Sequence, residues 1–247
     1  MVGHARLVMW VSLRDDSIMG SFQPVPSRRF SARLLGGITA SCVVAFAVLA
    51  GLVVSHWPLL LAGDQAAETA AHHDVLAQRW LLSAAKTATA IGSPVVVDLV
   101  AAVVVVVLLV LRWWRAAVVV AAARVGELVC ESVVKALVVR PRPALVDPVA
   151  SASGYGFPSG YAGGSAAVYG ALALLALAGV AWWARLILVT GTTLLVGAVA
   201  VSRVLLGVHY PSDVAAGVAL GLAWVSAAAL LVSLPRSVQS PTSVSHR

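Results

Sequence analysis

The sequence predicts an all-α fold: a polytopic membrane protein, built as a bundle of six transmembrane helices with a polar site on its outer rim. Three observations carry this prediction. Of 247 residues, 60% are hydrophobic and only 11% charged, against about 25% charged in soluble domains, and mean hydropathy is +0.95. Apolar runs recur at residues 36–61, 94–111, 116–137, 161–181, 186–206 and 212–234, and each is long enough to cross a hydrocarbon core that takes about 20 residues. The runs are rich in Ala, Val and Leu and lack the polar alternation of an outer-membrane barrel. Backbone groups in hydrocarbon must pair within their own segment, so the runs are read as helices.

Residues 1–33 hold five arginines and a broken apolar pattern; they are expected to form a solvated cytoplasmic tail rather than a signal peptide, with either Met1 or Met19 as the true start. Residues 34–234 form one six-helix domain, and 235–247 a second cytoplasmic tail. Between the first two runs, residues 62–93 make the longest outer connection. There Trp80, Leu81, Leu82 and Ala85 give an apolar stripe beside Arg79 and Lys86, the pattern of an interfacial helix. His72, His73 and Asp74 are read as solvated loop residues, because adjacent histidines point to different helix faces and no third metal ligand is evident. Asp98 in the short second run has no assigned role. The third run carries Arg124, Glu127, Glu131 and Lys135 at spacings that put all four near one helix face. Ionisable groups at such depth are costly; Glu131 is expected to orient Lys135 one turn away, and Arg124 to pair with Glu127. Gly163, Gly164, Gly191, Gly197, Gly217 and Gly221 predict close helix packing in the last three runs. Cys42 and Cys130 lie in apolar runs and are read as small hydrophobes, not as a disulfide.

Basic residues set the orientation. Arg6, Arg14, Arg28, Arg29, Arg33, Arg112, Arg115, Arg185, Arg236 and Arg247 fall on the side of the termini. Fewer fall on the other: Arg79, Lys86, Lys135, Arg140, Arg142 and Arg203. By the positive-inside rule both termini are cytoplasmic, and Trp113, Trp114, Trp182 and Trp183 sit at the inner headgroup belt of the cell membrane. A net charge of +7 and a pI of 10.3 would suit nucleic-acid binding only with a basic patch on a soluble face, and none is present. Arginine dominance with abundant Ala and Val suits a GC-rich bacterial genome. No oligomeric state follows from the sequence.

Four of the six outward basic residues break the charge bias in two clusters, KALVVRPRP at Lys135–Pro143 and SRVLLGVHYPSD at Ser202–Asp213, each at the outer end of a helix. Snorkelling explains isolated basic residues at an interface, but not these neighbours. Between the clusters, Gly154, Gly156 and Gly160 surround Pro158 and Ser159 just before the fourth run. A Gly-rich turn entering a helix presents unpaired N–H groups, a cradle for phosphate. Pro211 suits the first turn of the sixth helix, which puts His209 in the preceding turn at an exposed helix end and brings Asp213 near it.

Together, Lys135, Arg142 and Pro143 (K-x6-RP), Pro158, Ser159 and Gly160 (PSG), and Ser202, Arg203, His209 and Asp213 (SR-x5-H-x3-D) resemble the membrane-bound branch of the type 2 phosphatidic acid phosphatase superfamily, over about residues 64–234. The resemblance implies a lipid phosphate phosphatase in which His209 attacks phosphorus to form a phosphohistidine, and Asp213 holds the ring tautomer and stabilises the resulting cation. It implies that Lys135, Arg142, Arg203, Ser159 and the Gly160 N–H bind the phosphate oxygens. No metal and no cofactor are implied, because three cations supply the charge stabilisation. One departure stands out: the family reads PSGH, and Tyr161 occupies the position of that His. The leaving-group acid is therefore altered, since a tyrosine is a weaker acid than an imidazolium at neutral pH. The implied substrate is a lipid phosphate or pyrophosphate of the bilayer: a polyprenyl pyrophosphate, a phosphatidylglycerol phosphate or a phosphatidic acid. The alternative is a phosphate-lipid binding protein weakened or inactivated in catalysis at Tyr161. A transporter would require an internal repeat, and none is seen.

Overall fold

Glycine, proline and short polar breaks divide the chain into helices of membrane length and shorter ones between them. The computed structural model describes residues 32–144, 149–177 and 179–233, and no strand occurs among them. The helices are α1 (Ala32–Val54), α2 (Pro58–Ala77), α3 (Arg79–Ile91), α4 (Pro94–Val110), α5 (Trp114–Val138), α6 (Gly160–Leu177), α7 (Trp182–Leu205) and α8 (Pro211–Ser233). The tails expected at 1–33 and 235–247 lie outside the described residues, except that Ala32 and Arg33 already begin α1.

Five helical stretches are long and apolar enough to cross a membrane: α1, α3 continuing into α4, α6, α7 and α8. The chain is a multi-pass membrane protein. The sixth expected crossing, α5, is not among the five; it carries Arg124, Glu127, Glu131 and Lys135 along its length. The run at 36–61 is also not one helix. It breaks at Ser55–Trp57, where His56 has φ +53°, and Pro58 opens α2, because a proline needs no N–H partner in a first helical turn.

The connection at 62–93 is helical almost throughout. His72, expected in a solvated loop, lies on α2 and is buried, whereas His73 beside it is exposed. Three helical turns of α2 bury Asp64, Glu68, His72 and Val75, a one-face pattern that small alanines interrupt and hydropathy alone does not reveal. α3 packs against α7, with Ala85 buried beside Leu206 and Val208.

The central helix is α8, which packs against α1, α5, α6 and α7. Close approach comes from glycine: a Cβ on Gly217 would lie 2.3 Å from the Ser159 carbonyl, and one on Gly221 2.3 Å from that of Gly163. Gly126 lets the Trp224 ring lie against α5. Gly191 and Gly197, expected to serve the same purpose, have nothing within 4 Å of a built Cβ; the small residues there do not mark a contact within this chain. The result is a bundle whose α5 C-terminus, α6 and α8 N-termini and α7 C-terminus all meet at one end.

Candidate active site

The third helix expected from sequence ends by turning sharply. Val139 has φ +51°, a left-handed conformation that a β-branched residue adopts at a cost of about 1–2 kcal/mol, and its N–H caps the helix on the Lys135 carbonyl. The chain then runs back over the bundle end through Arg140–Pro143. From there Arg142 reaches into a cleft of about 730 Å³, lined by Glu131, Lys135, Arg142, Gly160, Tyr161, Arg203 and His209, with Arg124, Pro94 and Leu128 along its walls.

Arg142 is fixed by main-chain carbonyls: Nε donates to Gly154 at 3.0 Å, Nη2 to Ser153 at 3.1 Å and Nη1 to Val208 at 2.8 Å. Nη1 also lies 2.9 Å from Nε2 of His209. A guanidinium only donates, so Nε2 is the acceptor and the ring proton belongs on Nδ1. Nδ1 faces Oδ2 of Asp213 at 3.6 Å, longer than a hydrogen bond. His209 is 1% exposed and Asp213 wholly buried, which corrects the expectation of an exposed helix end: α3 and the loop at 149–152 close over the turn from the side. Burial pushes the His209 imidazole down to about 4, with Arg142 and Arg203 adding to the shift and Asp213 opposing it. A neutral imidazole with a guanidinium on its lone pair is poised to attack an electrophile that displaces that guanidinium.

Asp213 does more than face His209. Its Oδ2 accepts the Tyr210 N–H at 2.9 Å, closing the first turn of α8, and its Oδ1 accepts Arg140 Nη1 at 2.5 Å. Its carbonyl accepts the Ser159 N–H, which ties α6 to α8.

Arg203 projects from the last turn of α7. Its Nη1 donates to Thr89 Oγ1 at 2.6 Å, and its guanidinium stacks 3.7 Å from the centre of the Tyr161 ring. Tyr161 thus presents a flat ring that holds the Arg203 guanidinium at the cleft. Lys135 is ion-paired with Glu131 as expected from the one-turn spacing. At Gly160 a Cβ would displace the Glu131 carboxylate, the partner of Lys135. Ser159 is fully buried behind the cleft wall, not on it. Arg124 pairs with Glu127 at 2.6 Å as expected, and also with Asp98 at 2.5 Å, which supplies the role Asp98 lacked. At the cleft, buried Arg203 Nε and His209 Nδ1 have no hydrogen-bond partner among the described residues, and neither has Ser159 Oγ behind its wall.

Sequence reasoning missed Arg140, Asp64, Ser212 and Thr89. Arg140 stood in plain view in RPRP, but the other three are single polar residues whose partners lie far along the chain.

A sequence model of the PAP2 superfamily matches residues 112–236. The structure is similar to the crystal structure of a transmembrane PAP2 type phosphatidylglycerolphosphate phosphatase from Bacillus subtilis, at 23% identity and a TM-score of 0.66, covering 77% of this chain and 93% of that one. No curated protein matches the sequence.

Proposed function

Since the chain belongs to the PAP2 superfamily, we propose that it is an integral-membrane phosphatase that hydrolyses a lipid phosphate or pyrophosphate through a phosphohistidine. The observation that carries this reading is the 2.9 Å approach of Arg142 to His209 Nε2 in a cleft shared with Lys135 and Arg203. Three cations converge on the place where a nucleophile's lone pair emerges, and phosphoryl transfer is catalysed mainly by positioning and charge neutralisation. The substrate phosphate replaces Nε2 as the partner of Arg142. His209 Nε2 then forms the N–P bond as the P–O bond to the lipid breaks, and Asp213 stabilises the positive charge on the ring. Tyr161 is the proton source for the leaving oxygen. Water next attacks phosphorus, frees His209 and gives inorganic phosphate. No step in this scheme calls on a metal, so chelation leaves the rate unchanged.

Apolar Pro94 and Leu128 on the cleft wall suit a substrate held by its acyl or prenyl chains in the bilayer. The basic-residue bias supports a cleft on the outer face of the plasma membrane, with both termini cytoplasmic and α5 as the sixth crossing. The competing reading, a binding protein without turnover, draws support from Tyr161. Phosphate release from vesicles carrying phosphatidic acid, phosphatidylglycerol phosphate or a polyprenyl pyrophosphate separates the two. Release from at least one, lost in His209→Ala, is expected; binding of all three lipids with release from none would sink the enzyme reading.

A further inference from the structure

Asp64 of α2 lies 149 positions before Asp213, outside the matched family segment at 112–236, yet it is built into the site. Arg140 is buried and holds two carboxylates at once: Nη1 donates to Asp213 Oδ1 at 2.5 Å, and Nη2 to Asp64 Oδ2 at 2.7 Å. Ser212 closes the ring. Its N–H donates to Asp64 Oδ1 at 3.0 Å, its hydroxyl donates to Asp64 Oδ2 at 2.5 Å, and Arg140 Nη1 reaches its Oγ at 2.7 Å. The Tyr210 ring covers the guanidinium at 4.5 Å. All four polar residues are at most 7% exposed, and a charge left unpaired at such a place is strongly disfavoured.

On the phosphatase reading above, we propose that Asp64 and Arg140 are positioning residues for the nucleophile, which act through Asp213 to set how much of its negative charge reaches His209. The Asp213 carboxylate is divided. One oxygen serves Arg140, while the other bonds Tyr210 N–H and stays 3.6 Å from Nδ1. Arg140 draws Asp213 away from the ring and offsets its charge; Asp64 draws Arg140 the other way and moderates that effect. Buried at low dielectric, charges a few ångströms apart change a neighbour's protonation by about a pH unit. The other charged or titratable groups facing His209 are Arg142, Arg203, Lys135, Glu131 and Tyr161, with Glu68 behind Tyr210. Among the described residues none of them is hydrogen-bonded to Asp64 or Arg140, so the relay can be altered separately.

Signs distinguish this from a merely structural role. Asp64→Asn leaves Arg140 with one carboxylate and makes the surroundings of His209 more positive, so the ring protonates at lower pH. Arg140→Gln leaves Asp213 free to face Nδ1, so the ring protonates at higher pH. The double variant removes the nearer cation with the farther anion, and gives a smaller rise. The test is the titration of His209 by nitrogen-15 NMR of the full chain in detergent micelles with labelled imidazoles, the His209 signal being assigned by its loss in His209→Ala. The expected shifts are about half a unit down, about one unit up and a smaller rise, respectively. The acidic limb of kcat/KM for phosphatidic acid should follow the same order, and Arg140→Lys, which keeps the charge, should return both readouts toward those of the unmodified protein. If the single variants do not fold, the double variant decides, because it keeps the net charge of the cluster unchanged. An unchanged His209 titration there, or shifts of the same sign in both singles, overturns the relay. Ordered titrations without phosphate release from any lipid would instead support the relay and overturn the phosphatase reading.

Discussion

On the proposed phosphohistidine route His209 must be neutral to attack phosphorus, and burial favours this: with the ring held down at about 4, it is unprotonated throughout the neutral range. The sign follows directly. A base that must be free loses activity as pH falls through its own pKa, so kcat/KM should hold on the acid side until about pH 4 and drop below it, as far as the enzyme is concerned. The substrate's own phosphate ionisation, at about 6, adds a second step, recognisable because it is common to all variants, whereas the His209 step moves in Arg140→Gln. Removal of the nucleophile should abolish phosphate release; because the ring is enclosed, His209→Asn is the gentler change and should keep the thermal midpoint within a few degrees while losing turnover. Tyr161 permits a sharper comparison. Tyr161→Phe keeps the stack on Arg203 and removes only the hydroxyl, so any fall in monoester relative to pyrophosphate turnover reports proton donation. General acid catalysis is worth roughly 10² to 10⁴-fold. If Tyr161 donates, Phe should lower that ratio toward the bottom of the range; if it does not, Tyr161→His should raise it. Equal ratios in all three proteins would place the acid elsewhere.

Among the helices that meet at the cleft, α6 and α8 approach each other most closely through glycine. Gly217→Ala puts a Cβ 2.3 Å from the Ser159 carbonyl, a backbone atom that cannot yield without moving the turn that precedes Gly160. The expected outcome is a lower thermal midpoint together with lower phosphate release, since the same displacement loosens the Ser159 N–H bond to Asp213. Gly191→Ala on α7 is the control. With open space around it and an intrinsic helix preference of about 0.5–1 kcal/mol for Ala over Gly, it should leave activity unchanged and the midpoint equal or higher. Along α5, Arg124 lies between Asp98 and Glu127. Arg124→Gln leaves the buried Glu127 carboxylate unpaired and should cost about 3–5 kcal/mol, read as a fall in the midpoint in detergent, whereas Arg124→Gln with both Asp98→Asn and Glu127→Gln should recover much of it.

For the molecule in its membrane, the test is sidedness. Ser153, whose carbonyl holds Arg142, marks the cleft end of the bundle, and Ser153→Cys should react with a membrane-impermeant maleimide added outside intact cells, above the background from part-buried Cys42 and Cys130. Labelling only after the cells are opened would put the cleft on the cytoplasmic side and overturn the outer-leaflet reading.

Local chemistry written in consecutive residues was legible without coordinates. Apolar length requires helices because hydrocarbon offers the backbone no partner, and one-turn spacing brought Lys135 to Glu131 and Arg124 to Glu127. Pro211 opens α8 and carries Asp213 in its first turn, as its fixed φ and missing N–H dictate. Pairings between distant segments were not legible. Asp64 with Arg140, Asp98 with Arg124, Thr89 with Arg203 and Arg142 with His209 each join residues 26 to 114 positions apart, and no local periodicity encodes which partner a lone polar residue finds. Burial of His209 and His72 was misjudged for the same reason: a residue at a helix end or in a long connection is exposed or enclosed according to what packs over it. The sequence thus determined the helices and the family motifs that line the cleft, while packing determined the protonation and the partners of their residues, because charge and solvation depend on every segment that the fold brings near.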